Sequence, residues 1–161
     1  MHNAQFNKNT VAEAKIFLRE NWEEGINCPC CGQLVRKWRH SINSSIARTL
    51  IKMLLVETKT GNRWVHIMNQ IGITTMYSIA TYWDLIEPLE YPKIDSLLDD
   101  KKSSGMWFLT EKGKLFVKGF ITIPKYVNVF DHKLVGTEGK EVFIQDCLGK
   151  KFSYNELMKG F

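Results

Sequence analysis

Apolar residues recur at helical spacing in the first half of the chain and at strand spacing in the last third. From Thr10 to about Glu24, Val11, Ala14, Phe17, Leu18 and Trp22 share one face, which predicts a first helix. Thr10 can cap it, Glu13 would complete a capping box and Gly25 would stop it. A tight turn, Cys28-Pro29-Cys30-Cys31-Gly32-Gln33, then leads into a short extended run from Leu34 to Trp38. Asn43, Ser44 or Ser45 opens a second helix to about Glu57, with Ile46, Ala47, Leu50, Met53 and Leu54 inward, before Thr58-Lys59-Thr60-Gly61-Asn62 breaks it.

The middle of the chain predicts two more helices. One covers Arg63 to Gln70 with Trp64, Ile67 and Met68 on its face. The other is capped by Thr74 or Thr75 and runs to about Ile86, burying Met76, Ile79, Ala80 and Trp83. Leu89 to Gly105 reads as a charged loop, Met106 to Leu109 as a returning strand, and Thr110 as the cap of a short helix to Lys118. Phe120 to Phe130 alternates as a half-buried strand does, Asp131-His132-Lys133 is a turn, and Leu134 to Gly136 and Glu141 to Gln145 are further strands. Phe152 to Met158 closes the chain as a short helix with Ser153 as cap and Glu156 three residues on. Three segments result: a helix and cysteine turn (1–42), a helical core with one hairpin (43–119) and a β-rich extension (120–161), an α+β chain with no internal repeat.

A chain of 161 residues with 44% hydrophobic residues has enough apolar surface for a real core without staples. No run approaches the ~18 apolar residues of a membrane span, so no membrane partner is expected. The first residues show no basic start followed by an apolar region, so a cytoplasmic location is expected. The net charge of +5 is unevenly spread. Residues 1–60 carry nine Lys/Arg against five Asp/Glu, residues 61–105 four against six, and residues 106–161 nine against six. Such basic ends either attract polyphosphate by counterion release or serve as ordinary solubility charge.

Cys28-Pro29-Cys30-Cys31-Gly32 contains a C-P-x-C-G knuckle, which points two thiolates at one centre. A closed structural zinc site needs four ligands and the usual second C-x-x-C is missing. Cys30, His40 and Cys147 are the candidates to complete it with Cys28 and Cys31. The competing reading is a buried, reduced thiol turn that packs the first helix against the core. Catalysis has little support: there is no Gly-rich phosphate loop, no G-x-S-x-G and no H-E-x-x-H. His2, His40, His66 and His132 lack ligand spacing, and Asp95, Asp99 and Asp100 sit in a solvated loop, so the chain is not expected to be an enzyme.

The wording Trp83-x-Leu85-Ile86-Glu87-Pro88, then Gly105-x-Trp107-x-Leu109-Thr110-Glu111-Lys112-Gly113, resembles the winged helix-turn-helix regulators of bacteria and phages. The resemblance implies a winged-helix core of helices near 44–57, 63–70 and 75–86, with Leu89 to Gly105 as the wing, carrying a first helix and an added small β-subdomain. Elements at Cys28–Gln33, Asn43–Leu50, Trp83–Glu87, Trp107–Gly113, Ile123–Val127 and Asp146–Met158 also resemble a group of small bacteriophage proteins. That likeness implies a phage-encoded protein in the bacterial cytoplasm.

In a helix-turn-helix the second helix presents outward residues to base edges. Here these would be Thr75, Tyr77, Ser78 and Thr81, with Tyr82 beside them, and they include none of the bidentate readers Arg, Lys, Asn or Gln. Phosphate contacts would come from Arg63, Lys101, Lys102, Lys112 and Lys114. Arg36, Lys37, Arg39 and His40, interleaved with Trp38, form the densest basic cluster, either a DNA contact or a solvated strand edge. Double-stranded DNA is therefore the expected partner of a non-catalytic regulator, with a homodimer through the first helix as its assembly. The alternative is a protein-interaction module that inhibits a host polymerase or an anti-phage defence such as a CRISPR component, because Tyr and Trp favour protein interfaces.

Overall fold

Asn43 sets the start of the longest element. Its side chain accepts the Ile46 N–H at 3.1 Å, and Gly61, in the left-handed conformation, ends the helix. The structure, a computed structural model, describes residues 10–72, 76–90 and 104–160. Its elements in order are α1 (Val11–Asn21), β1 (Ile26–Asn27), β2 (Leu34–Val35), β3 (Trp38–Ser41), α2 (Ser44–Thr60), β4 (Val65–His66), β5 (Ile86–Pro88), β6 (Met106–Leu109), α3 (Glu111–Val117), β7 (Ile123–Phe130), β8 (Lys133–Val142), α4 (Ile144–Leu148) and α5 (Tyr154–Met158). A π-helical turn, Ile67–Ile71, and a 3-10 helix, Tyr77–Trp83, lie between β4 and β5. The chain is α+β with antiparallel pairing in the β1–β2 and β4-β6-β5 sheets.

Contacts divide the chain into two units, one of Met1–Arg39 with Asn128–Gly136 and one of His40–Val127 with Thr137–Phe161. This grouping differs from three consecutive segments, because the β7–β8 hairpin contributes residues to both units. A third sheet has the strand order β3-β7-β8.

In the first unit, Thr10 caps α1 as expected, accepting the Glu13 N–H and donating its hydroxyl to the Glu13 carboxylate at 2.9 Å. The helix ends at Asn21, short of Glu24. Ala14 is buried, Phe17 and Leu18 are half-buried, and Trp22 stacks on Phe130 at 4.6 Å. Val11, expected inward, is 65% exposed because it lies on the first turn.

In the second unit α2 is the centre. Ile46, Ala47, Leu50, Ile51 and Met53 have no exposed surface, so the helix is buried nearly all round. The π-turn, the 3-10 helix, β4, β6, α3, α4 and α5 all pack against it. The long tail therefore closes around α2: where Glu141 to Gln145 was expected as a strand, β8 instead runs unbroken from Lys133 to Val142 and α4 follows. Asp131 and His132, both at positive φ, make the two-residue turn that joins β7 to β8.

The two middle helices are the main departure. Val65 and His66 leave helical geometry to pair with Trp107 and Met106 of β6, so only the five-residue π-turn remains of the helix expected over 63–70. The helix expected over 75–86 is the 3-10 helix, bounded by Met76 and Asp84 in the left-handed region. Ile79, Thr81, Tyr82 and Trp83 are β-branched or aromatic and support an α-helix weakly. Met76, expected inward, is 52% exposed, while Ala80 and Trp83 are buried as the spacing implied.

Candidate nucleic-acid interface and thiol turn

The Trp83–Glu87 and Leu109–Lys114 motifs are joined by hydrogen bonds. Trp83 donates its indole N–H to the Pro124 carbonyl at 2.7 Å, and Leu85 and Ile86 are buried behind it. Thr110 donates its hydroxyl to the Asp84 carbonyl at 2.6 Å, and its N–H to the Leu85 carbonyl at 3.0 Å. It also caps α3 by accepting the Gly113 N–H at 2.9 Å. Gly113 lies so close to Leu85 that an added Cβ would sit 2.0 Å from the Leu85 carbonyl oxygen. Lys114 bonds Glu57 on α2 at 2.6 Å and reaches Glu111 at 3.5 Å. The hydrogen bond that the Lys114 ammonium donates to Glu57 raises its pKa above the ordinary lysine value. The Leu-Thr-Glu-Lys-Gly motif is thus a packing and capping device.

That geometry removes Lys114 from the expected phosphate contacts, since its charge is already matched within the fold. Tyr77 is half-buried, and its ring meets Trp107 edge-on at 5.4 Å. Thr81 donates its hydroxyl to the Ser78 carbonyl at 2.7 Å, and Ser78 is exposed. Arg63 is exposed, with its guanidinium 3.7 Å from the Phe108 ring and 5.6 Å from Trp64. Phe108 and Trp64 meet edge-on at 4.8 Å. This stack was missed in the sequence, although the alternation of β6, with Trp107 and Leu109 inward, leaves Phe108 on the opposite face. Lys112 is exposed on α3. Thr75, Lys101 and Lys102 lie outside the described residues, as does Thr74.

The stem of the loop between β5 and β6 is closed. Ser104 donates to the Leu89 carbonyl at 3.0 Å, Met106 donates its N–H to Ser104 Oγ at 3.1 Å, and Leu89 donates to the Met106 carbonyl at 2.9 Å. In the other unit, Arg36, Lys37, Trp38 and Arg39 are all exposed, and the Arg36 guanidinium lies 4.5 Å from the Trp38 ring centre. His40, half-buried on β3, belongs to the α2 unit.

No family model, curated protein or solved structure matches this chain. The local geometry therefore carries the functional reading. Among the described residues no helix is long and apolar enough to cross a membrane.

The cysteine turn is the tip of the β1–β2 hairpin. Ile26 pairs with Val35 and Asn27 with Leu34. Cys28 donates its N–H to the Gln33 carbonyl at 2.7 Å, Gly32 donates to the Cys28 carbonyl at 2.8 Å, and Gly32 takes the positive φ this turn needs. The backbone N–H groups of Cys30 and Cys31 hydrogen-bond to the Cys28 sulfur and lower its pKa. Cys30 and Cys31 are exposed, so the turn is not a buried packing element. Cys147 is a different kind of thiol. It sits on α4, donates to the Phe143 carbonyl at 3.4 Å, and is pushed up to about 12 by burial, with Asp146 adding to the shift. Among the described residues, no group of three or more His, Cys, Asp or Glu is gathered to hold a metal ion.

Proposed function

We propose that the α2 unit works as a winged helix-turn-helix that binds double-stranded DNA without catalysis, mainly through phosphate contacts. The observation that carries this reading is the strand order β4-β6-β5. A first strand after α2, two short helices, and a β5–β6 hairpin that returns between the other two strands is the element order of a winged helix. In this reading the π-turn and 3-10 helix replace the helix-turn-helix pair, and Leu89 to Gly105 is the wing by sequence. Arg63 and Lys112 on the described surface, with Lys101 and Lys102 in the wing by sequence, supply the cations. A seven-residue 3-10 helix is only ~14 Å long, and Ser78 and Thr81 are weak base readers, so the reading includes little sequence preference. The likeness to small phage proteins suggests the bacterial cytoplasm as the place of action.

The test is anisotropy of a random-sequence duplex titrated with the chain at several salt concentrations. With about four phosphate contacts, log affinity should fall with log salt at a slope of roughly −3 to −4. Arg63→Ala and Lys112→Ala should each flatten the slope by about one unit. No binding at ~50 mM salt with micromolar protein would reject the proposal, because phosphate contacts are strongest there.

One observation favours the alternative, a module that docks on a host protein. Met68 and Met76, on either side of residues 73–75, are 54% and 52% exposed, and flexible methionines suit adaptable protein surfaces. Under that reading Met68→Asp would abolish capture of a host protein and leave DNA affinity unchanged.

A further inference from the structure

The thiol turn has the spacing of a zinc knuckle and carries half of the ligands a closed zinc site needs. Cys28 and Cys31 have knuckle spacing at the tip of a hairpin whose register is set by β1–β2 pairing. Gly32 allows the tight return, and the turn is closed by the Cys28 N–H on the Gln33 carbonyl at 2.7 Å and the Gly32 N–H on the Cys28 carbonyl at 2.8 Å. Burial does not explain the turn, since Cys30, Cys31, Gly32, Gln33 and Leu34 are all exposed. Tetrahedral zinc takes four protein ligands in a structural site.

Cys147, half-buried on α4, already donates to the Phe143 carbonyl and is not assigned to the site. Because the half-site stands at an exposed tip, a second copy can present the same half-site to it. Two identical pairs related by a twofold axis make a tetrahedron of four thiolates, and cyclic dimers are the commonest assembly. Four thiolates on a zinc dication leave a net charge of −2. Arg36, Lys37 and Arg39 follow the hairpin directly in each copy and would offset it.

We propose that two copies of this chain share one zinc ion through Cys28 and Cys31 of each, so that metal binding and dimerisation are one event. This site is separate from the DNA reading and does not depend on it. Cys30 is not a ligand in this arrangement.

The experiment is metal analysis and light-scattering mass on the same reduced sample of the full chain. The expected result is a dimer with ~0.5 zinc per chain, as four thiolates from two copies require. A chelator should give zinc-free monomer, and added zinc should restore the dimer. Cys28→Ser and Cys31→Ser should each be zinc-free monomers, with Cys30→Ser like the parent. Cobalt in place of zinc should show the strong thiolate charge-transfer band in the parent and in Cys30→Ser alone, while far-UV spectra check that the variants fold. One zinc per monomer, a zinc-free parent, a dimer that survives metal removal, or loss of metal in Cys30→Ser would each overturn the proposal.

Discussion

Helix α2 and the β1–β2 hairpin stand at opposite ends of one scale. On α2, Ile46, Leu50 and Ile51 are fully buried, and its polar residues are placed to serve packing: Thr49 bonds the Ser45 carbonyl at 2.9 Å and the Arg48 guanidinium lies 4.2 Å from the Phe152 ring. On the hairpin, three cysteines occupy a turn that buries little. Packing accounts for most of the first and for little of the second. Cysteine is costly to expose because of its reactivity, so the composition of the hairpin points to chemistry and that of α2 to stability.

The contrast breaks most sharply under core truncation. Leu50→Ala should lose ~2–5 kcal/mol in urea unfolding, whereas Cys28→Ser in metal-free protein should change the midpoint little. Comparable losses for the two would erase the distinction. Gly113→Ala comes next. Its Cβ would meet the Leu85 carbonyl, so α3 must shift, at a cost of ~1–3 kcal/mol, and an unchanged melting temperature would mean that α3 is held loosely.

The Glu57–Lys114 pair gives a smaller effect with a defined pH signature. Lys114→Met leaves the Glu57 carboxylate half-buried without its cation, which should cost ~1–2 kcal/mol. Since the folded pKa of Lys114 is raised, the pair stabilises fully below the ordinary lysine value of 10.5 and fades as pH rises through the higher folded value. The parent should therefore converge on Lys114→Met at alkaline pH, and parallel curves would dismiss the ion pair as the source. The smallest effect is kinetic. In metal-free native protein the exposed Cys30 and Cys31 should react faster with a thiol reagent at pH 8 than the half-buried Cys147. Equal labelling rates for all three would contradict that difference in exposure.

The sequence made α2, α3, α5 and the Thr10, Thr110 and Ser153 caps legible, because each pairs a capping side chain with a consistent apolar period, and it left the α2 cap open among Asn43, Ser44 and Ser45, of which Asn43 is the one used. It misread 63–83 for a physical reason. Val65 and His66 satisfy their backbone by pairing with β6, some forty residues away, and that long-range bond outweighs a local helical period. It also read Lys114 and Tyr77 as outward because spacing does not reveal their partners. Glu57 and Trp107 reach them from other elements. The knuckle was visible as a motif, but its exposure was not, since burial depends on what the rest of the chain covers.

Amide NMR of the labelled chain titrated with a short random-sequence duplex at low salt reads most directly whether DNA lies against the α2 unit. The prediction is progressive shifts at Arg63, Ser78, Thr81 and Lys112, reversed by added salt, with the amides of α4 and α5 unmoved. Unchanged spectra, or shifts confined to α4 and α5 with those four residues still, would contradict it.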